Sequence, residues 1–168
     1  GVGGTNRMFS MGSGHFQAHI SEFPSGTYKK AHRHGPGAHL FTLSGTGYTL
    51  EWNFGKELVE FPWKDGTVYT ALNSFWHQHF NTGPDAVRYL AITHGRYHAG
   101  LRARPSPKQD ATVKDFGDEM NYEEEEAWVR SKFREECGKR GVTVADSKMT
   151  LDYEKSLPPD SYLVHNEG

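Results

Sequence analysis

The chain has 168 residues, which points to one domain or one domain with an appendage, and it is long enough to bury a core without disulfide support. A single cysteine, Cys137, excludes an intramolecular disulfide. With 19 Lys and Arg against 21 Asp and Glu, the net charge of −2 excludes the basic surplus that nucleic acid or an acidic membrane surface would select.

From residue 15 to residue 94 the chain reads as short alternating runs rich in aromatic and β-branched residues. Strands are predicted at His15–Phe23, Thr27–Arg33, Ala38–Leu43, Gly47–Trp52, Leu58–Pro62, Thr67–Ala71, Phe75–Phe80 and Val87–Thr93. Turn residues separate them, among them Pro24-Ser25-Gly26, Gly35-Pro36-Gly37 and Lys64-Asp65-Gly66. Strands this short, at this spacing and without helical periodicity, indicate a sandwich or barrel over residues 1–100. The character then changes. Leu101 to Pro107 reads as an extended linker, and Asn121 to Arg140 as one helix. Asn121 is the expected N-cap, Val129, Phe133 and Cys137 share a face beside Trp128, and Gly141 is the expected C-terminal stop. Residues 101–168 therefore read as linker, helix and polar tail, packed on or swapped onto the barrel. No apolar run is long enough to span a bilayer, and the opening Gly-Val-Gly-Gly-Thr-Asn-Arg carries no apolar leader. A cytoplasmic protein is expected, and the first residue, not Met, fits a fragment or a processed form.

Nine of the ten histidines lie between His15 and His98. His32 and His34 alternate on one predicted strand, so both rings leave the same face. Gly35-Pro36-Gly37 then turns the chain, and His39 opens the returning strand where it can come back beside the pair. Three imidazoles from one hairpin suit one transition-metal cation. His77 and His79 repeat the alternation on a second strand. The plain alternative for each is a core histidine satisfied by hydrogen bonds. Tyr28 and Lys30 share the predicted strand face with His32 and His34, and so are either acid/base groups of the same pocket or a packing tyrosine and a solvated lysine. His15 and His19 share a face with Gln17 and read equally as pocket lining or surface. His94 and His98 read as turn or surface residues, Arg102 and Arg104 as linker surface, and Trp52, Trp63 and Trp76 as core or interface aromatics.

These stretches resemble the two motifs of the cupin superfamily. The first runs from a glycine through His-x-His to a glutamate and a second glycine. Here Gly26, His32, His34 and His39 follow it, with His39 in the glutamate place and the closing glycine one residue off at Gly45 or Gly47. The second motif is followed by Gly66, His77 and Asn81, with Leu72 in its proline place and Ser74 in its second glycine place. The resemblance covers residues 26–81.

The resemblance implies an all-β fold, a cupin-type double-stranded β-helix (jelly-roll barrel), with the C-terminal helix added. It implies one divalent transition metal held by His32, His34, His39 and His77; the strand faces add Tyr28, Lys30 and His79 as candidate catalytic residues. Imidazole ligands suit Fe(II), the favoured ion, and also Zn, Ni, Cu or Mn. All-histidine cupin sites are similar to those of dioxygenases that need no 2-oxoglutarate. The expected activity is thus a mononuclear non-haem Fe(II) dioxygenase, an oxidoreductase acting on a small metal-chelating substrate. The alternatives are a metal-dependent lyase, isomerase or decarboxylase using the metal as Lewis acid, and a non-catalytic small-molecule-binding cupin. The partners expected are a small-molecule substrate and a second copy of the chain in a homodimer, with no nucleic acid and no membrane.

Overall fold

The computed structural model describes residues 3–11, 15–53, 55–94 and 118–149. The expected linker 101–107, His98 and the tail beyond 149 lie outside the described residues. Among the described residues ten strands and one α-helix follow in chain order: β1 (Thr5–Met11), β2 (Phe16–Phe23), β3 (Ala31–His32), β4 (Ala38–Ser44), β5 (Gly47–Trp52), β6 (Val59–Trp63), β7 (Val68–Ala71), β8 (Trp76–Asn81), β9 (Val87–His94), β10 (Glu119–Met120) and α1 (Ala127–Lys139). They form two five-stranded sheets, ordered β1-β2-β9-β4-β7 and β10-β3-β8-β5-β6. Every pairing is antiparallel.

One apolar cluster draws on both sheets, with Phe23, Ala38, Leu40, Ala71, Val87, Tyr89 and Ala91 meeting Trp63 of β6. The second lies on the far side of the second sheet. There Tyr28, Tyr48, Leu50 and Phe80 pack against Val129, Phe133 and Cys137 of α1. Both faces of the second sheet are therefore covered at its centre, where all six residues of β8 are buried. Alternation on β8 then sorts side chains by partner rather than by polarity. Trp76, Gln78 and Phe80 go under or beside the helix, while His77, His79 and Asn81 go between the sheets. Two glycines allow close backbone approach here. A Cβ on Gly47 would stand 1.9 Å from Phe80 O. At Gly26, with φ +66°, it would stand 2.1 Å from Thr143 O, in the segment that follows α1.

The helix is shorter than the sequence predicts, starting at Ala127 rather than Asn121. Tertiary contacts hold residues 121–125 in turns instead. Tyr122 enters the cluster beneath α1, and Glu125 accepts from Tyr28 Oη and Gln78 Nε2. Asn121 makes no N-cap; its N–H donates to Glu124 Oε2 at 2.8 Å. Gly141 does end the helix, with φ +66° and Val142 N–H donating to Cys137 O at 2.9 Å. Trp128, expected on the packing face, is 42% exposed, because it lies one residue and so about 100° off the Val129–Phe133–Cys137 stripe.

Candidate metal centre

β3 and β8 meet at one register pair, His32 opposite His77. Directly paired residues of an antiparallel ladder leave the same face, so the two rings stand together, 4.3 Å between centroids. His34 lies just beyond β3, and its ring is 4.9 Å from His77 and 5.8 Å from His32. One ring nitrogen from each of the three lies within 4.8 Å of the other two.

The tautomers follow from the backbone. Each Nδ1 faces a carbonyl oxygen: Lys30 O for His32 at 2.9 Å, Pro36 O for His34 at 2.9 Å, and Phe75 O for His77 at 3.0 Å. A carbonyl can only accept, so Nδ1 carries the hydrogen and Nε2 keeps its lone pair. Three convergent imidazoles, each oriented by a hydrogen bond at Nδ1 that leaves the lone pair on Nε2, form the donor set of a transition-metal site. Electrostatics keep His32 and His77 neutral. Burial, then the neighbouring rings of His77, His34 and His79, hold His32 well below the usual histidine range. Burial, then His34, pushes His77 down to about 3.

The other candidates go elsewhere. His39 is exposed, with Nδ1 3.0 Å from Thr70 Oγ1. On β4 it is Ala38 and Leu40 that face the interior, so His39, in the glutamate place of the motif, points out and does not join the group. The expectation that Tyr28 and Lys30 share a face with His32 also fails. Tyr28 bridges Phe80 while His32 pairs with His77, so four steps on one strand oppose three on the other. This one-residue bulge reverses the parity of the chain ahead of β3. Tyr28 stacks on Phe80 and meets Phe133 edge-to-face beneath α1, and Lys30 Nζ pairs with Glu119 Oε1 at 3.2 Å over the Tyr122 ring. Lys29 takes the inward position instead.

His79 does face the interior. Its ring is 5.5 Å from His77 and 5.9 Å from His32, and its Nδ1 lies 2.8 Å from Thr49 Oγ1 and 3.3 Å from Tyr69 Oη. It stands beside the trio without joining it. Burial, then His77 and Lys29, lower its pKa strongly. His19 faces inward on β2 with its pKa pushed to about 3, chiefly by burial. His15 is exposed, and His94, at the end of β9, is also exposed and stacks on Phe16.

Sequence reasoning passes over Glu51. It is the register partner of His77 on β5, is buried, and accepts from Leu72 N–H at 3.0 Å through Oε2. Burial raises its carboxyl pKa. Its signal is positional only: two residues from Thr49 on the strand that pairs with the histidine strand.

No family model matches the chain, and no curated protein matches it by sequence. Solved structures do. A point variant of oxalate decarboxylase from Bacillus subtilis aligns with TM-score 0.52 at 16% identity, covering 55% of this chain and 26% of that one. The same enzyme, studied for its Mn(II) centres, aligns with TM-score 0.53 at 15% identity over 59% of this chain and 28% of that one. Its structure at pH 4.6 aligns with TM-score 0.51 at 15% identity. The chain spans about a quarter of the length of these neighbours. Among the described residues no helix is long and apolar enough to cross a membrane. Two antiparallel sheets closed face to face, a histidine trio between them and these neighbours together identify the architecture as the cupin fold.

Proposed function

We propose that the protein is a metal-dependent enzyme acting on a small, metal-chelating organic anion, with His32, His34 and His77 holding one divalent transition metal. The observation that carries this reading is the trio itself, in which three convergent rings, His77 buried and His32 and His34 half-buried, commit Nδ1 to backbone carbonyls and so present Nε2 as the ligand atom. The donor chemistry fits, since neutral imidazoles suit Mn-to-Zn first-row ions when the remaining positions go to substrate. Bound there, such an ion supplies a Lewis acid that polarises a carboxylate or carbonyl oxygen.

Lewis-acid decarboxylation is the reaction we favour within this class. It is supported by the fold shared with an oxalate decarboxylase that carries Mn(II) centres. It needs no oxidant: the carboxylate leaves as CO₂ and a proton is delivered to the atom left behind. Glu51 suits the delivery, because a buried carboxyl with a raised pKa keeps its proton at higher pH than an exposed glutamate. Thr49, Tyr69 and His79 hold one another by hydrogen bonds and keep that wall of the site rigid.

A second reading, the Fe(II) dioxygenase, is favoured by one feature, the absence of a carboxylate from the ligand trio. Elemental analysis of the isolated protein, paired with CO₂ release and O₂ uptake on a panel of small chelating acids, separates the two. We expect bound metal and CO₂ release under anaerobic conditions. Iron with stoichiometric O₂ uptake would transfer the protein to the dioxygenase reading. Failure to load any metal would overturn both in favour of a binding protein.

A further inference from the structure

Lys29 is 1% exposed, and its side chain lies between the sheets. Its backbone N–H donates to His79 O at 2.9 Å, which ties it to the histidine strand ahead of the bulge. Its Nζ donates to Ser21 Oγ on β2. The same nitrogen stands 5.2 Å from the centre of the Tyr89 ring and 5.6 Å from that of Phe23. Tyr89 in turn lies 5.3 Å from the His79 ring and 6.2 Å from His19. The ammonium is thus one aromatic ring away from His79 and His19.

A lysine ammonium has three donors, and Ser21 uses one. Lys30 next to it has Glu119, whereas no carboxylate of the described residues stands within ion-pair distance of Lys29. Buried charges are ordinarily paired, and a hydroxyl with two ring faces compensates this one only in part. On the strand beyond Ser21, its register partner Asn6 has its buried Oδ1 without a hydrogen-bond partner. That corner of the interior therefore has unused donors beside an unused acceptor. The neighbouring imidazole rings of His32, His77 and His79 offer the ammonium no negative charge.

We infer that Lys29 is the anion-recognition residue of this interior, its Nζ receiving the carboxylate of a small organic acid whose other end faces His32, His34 and His77. Placing that other end at the histidines rests on the metal-site reading; assigning the carboxylate to Lys29 does not. The acid selected is one whose charge and hydroxyl both find partners, a short hydroxy-acid rather than its ester or amide.

The test is calorimetric titration of the full chain, metal-free and loaded with Mn(II), using acetate and glycolate as acids and acetamide and glycolamide as neutral isosteres. We expect at least one acid to bind about tenfold or more tightly than its amide, the range of a hydrogen bond to a charged group. Lys29→Met should abolish that preference while leaving metal content and amide affinity unchanged, and Lys29→Arg should keep part of it. Equal affinity for acid and amide in the unmutated chain, no binding of either acid, or an acid preference that survives Lys29→Met would each overturn the inference. Should Lys29→Met not fold, the ammonium ¹⁵N resonance of Lys29 in the unmutated chain must shift on saturation with the acid and not the amide; an unmoved resonance overturns it. A Lys29-dependent preference in a chain that loads no metal would leave this inference standing and remove the metal reading. Full metal loading with acid affinity unchanged by Lys29→Met would do the reverse.

Discussion

Acid should unfold the metal-free protein early, and the histidine cluster sets by how much. His32, His77 and His79 are packed against one another, and each has its pKa pushed far below the ordinary value of 6.5, that of His77 to about 3. In the unfolded chain all three titrate near 6.5. Their contribution to stability is therefore complete above about pH 6.5, where both states are neutral, and is lost as pH falls from there towards 3, because only the unfolded chain takes up protons. Linkage gives about 1.2 kcal/mol per such histidine between pH 6 and pH 5, so the three together cost about 3–4 kcal/mol over that one unit. Glu51 and Glu125, whose pKa values burial raises, take up protons in the folded state and offset part of this. Set against a typical domain stability of about 5–15 kcal/mol, the loss is large. Urea midpoints followed by far-UV circular dichroism, at half-unit steps from pH 7.5 to 4.5 in the presence of chelator, measure it directly. His79→Gln should reduce the slope by about one third. A midpoint that stays flat between pH 6.5 and 5 would mean that the folded protein protonates these rings, and the argument from burial and mutual repulsion would be wrong.

His34→Ala should strip the protein of metal, whereas His39→Ala should leave metal content unchanged and alter stability by less than about 0.5 kcal/mol, as a surface substitution does; elemental analysis and denaturation read both. Phe133, fully buried with its ring 4.8 Å from Tyr28 and 5.8 Å from Phe80, should cost about 3–5 kcal/mol as Phe133→Ala in urea unfolding. Ser74 occupies a motif glycine place at φ +63° and donates its N–H to His34 O. Relief of a left-handed serine, less the extra freedom of glycine in the unfolded chain, should make Ser74→Gly more stable by about 0.5–1 kcal/mol, with metal content unchanged.

Much of the site is legible in the residues alone. Alternation is a property of single strands, so His77 and His79 must share a face, and their place in β8 follows from the sequence to within one residue at each end. Seven of the predicted strands appear with similar bounds, because turn residues and alternating runs are local signals. The eighth, predicted over 27–33, shrinks to Ala31–His32, and the same cause moves the predicted catalytic pair out of the site. A bulge is the insertion of one residue relative to a partner strand, and a single strand carries no record of what its partner counts. At strict period 2, Tyr28 and Lys30 fall with His32; paired against Phe80 and His77, they fall outside, and Lys29 falls within. The same limit applies to His39, since whether it or Ala38 faces the core depends on how the turn between His34 and β4 sets the register against β7 and β9.

Periodicity within one segment is enough to determine the all-β class of the first hundred residues, the histidine strand β8 and the helix stripe. Which histidines meet is a matter of strand register, and register exists only between segments, so the assembled sheets decide it. They also decide that β8 turns His77, His79 and Asn81 inward. That inversion is stable only because α1 covers Phe80 on the other side, so the polar face of the strand is free to become the lining of the site.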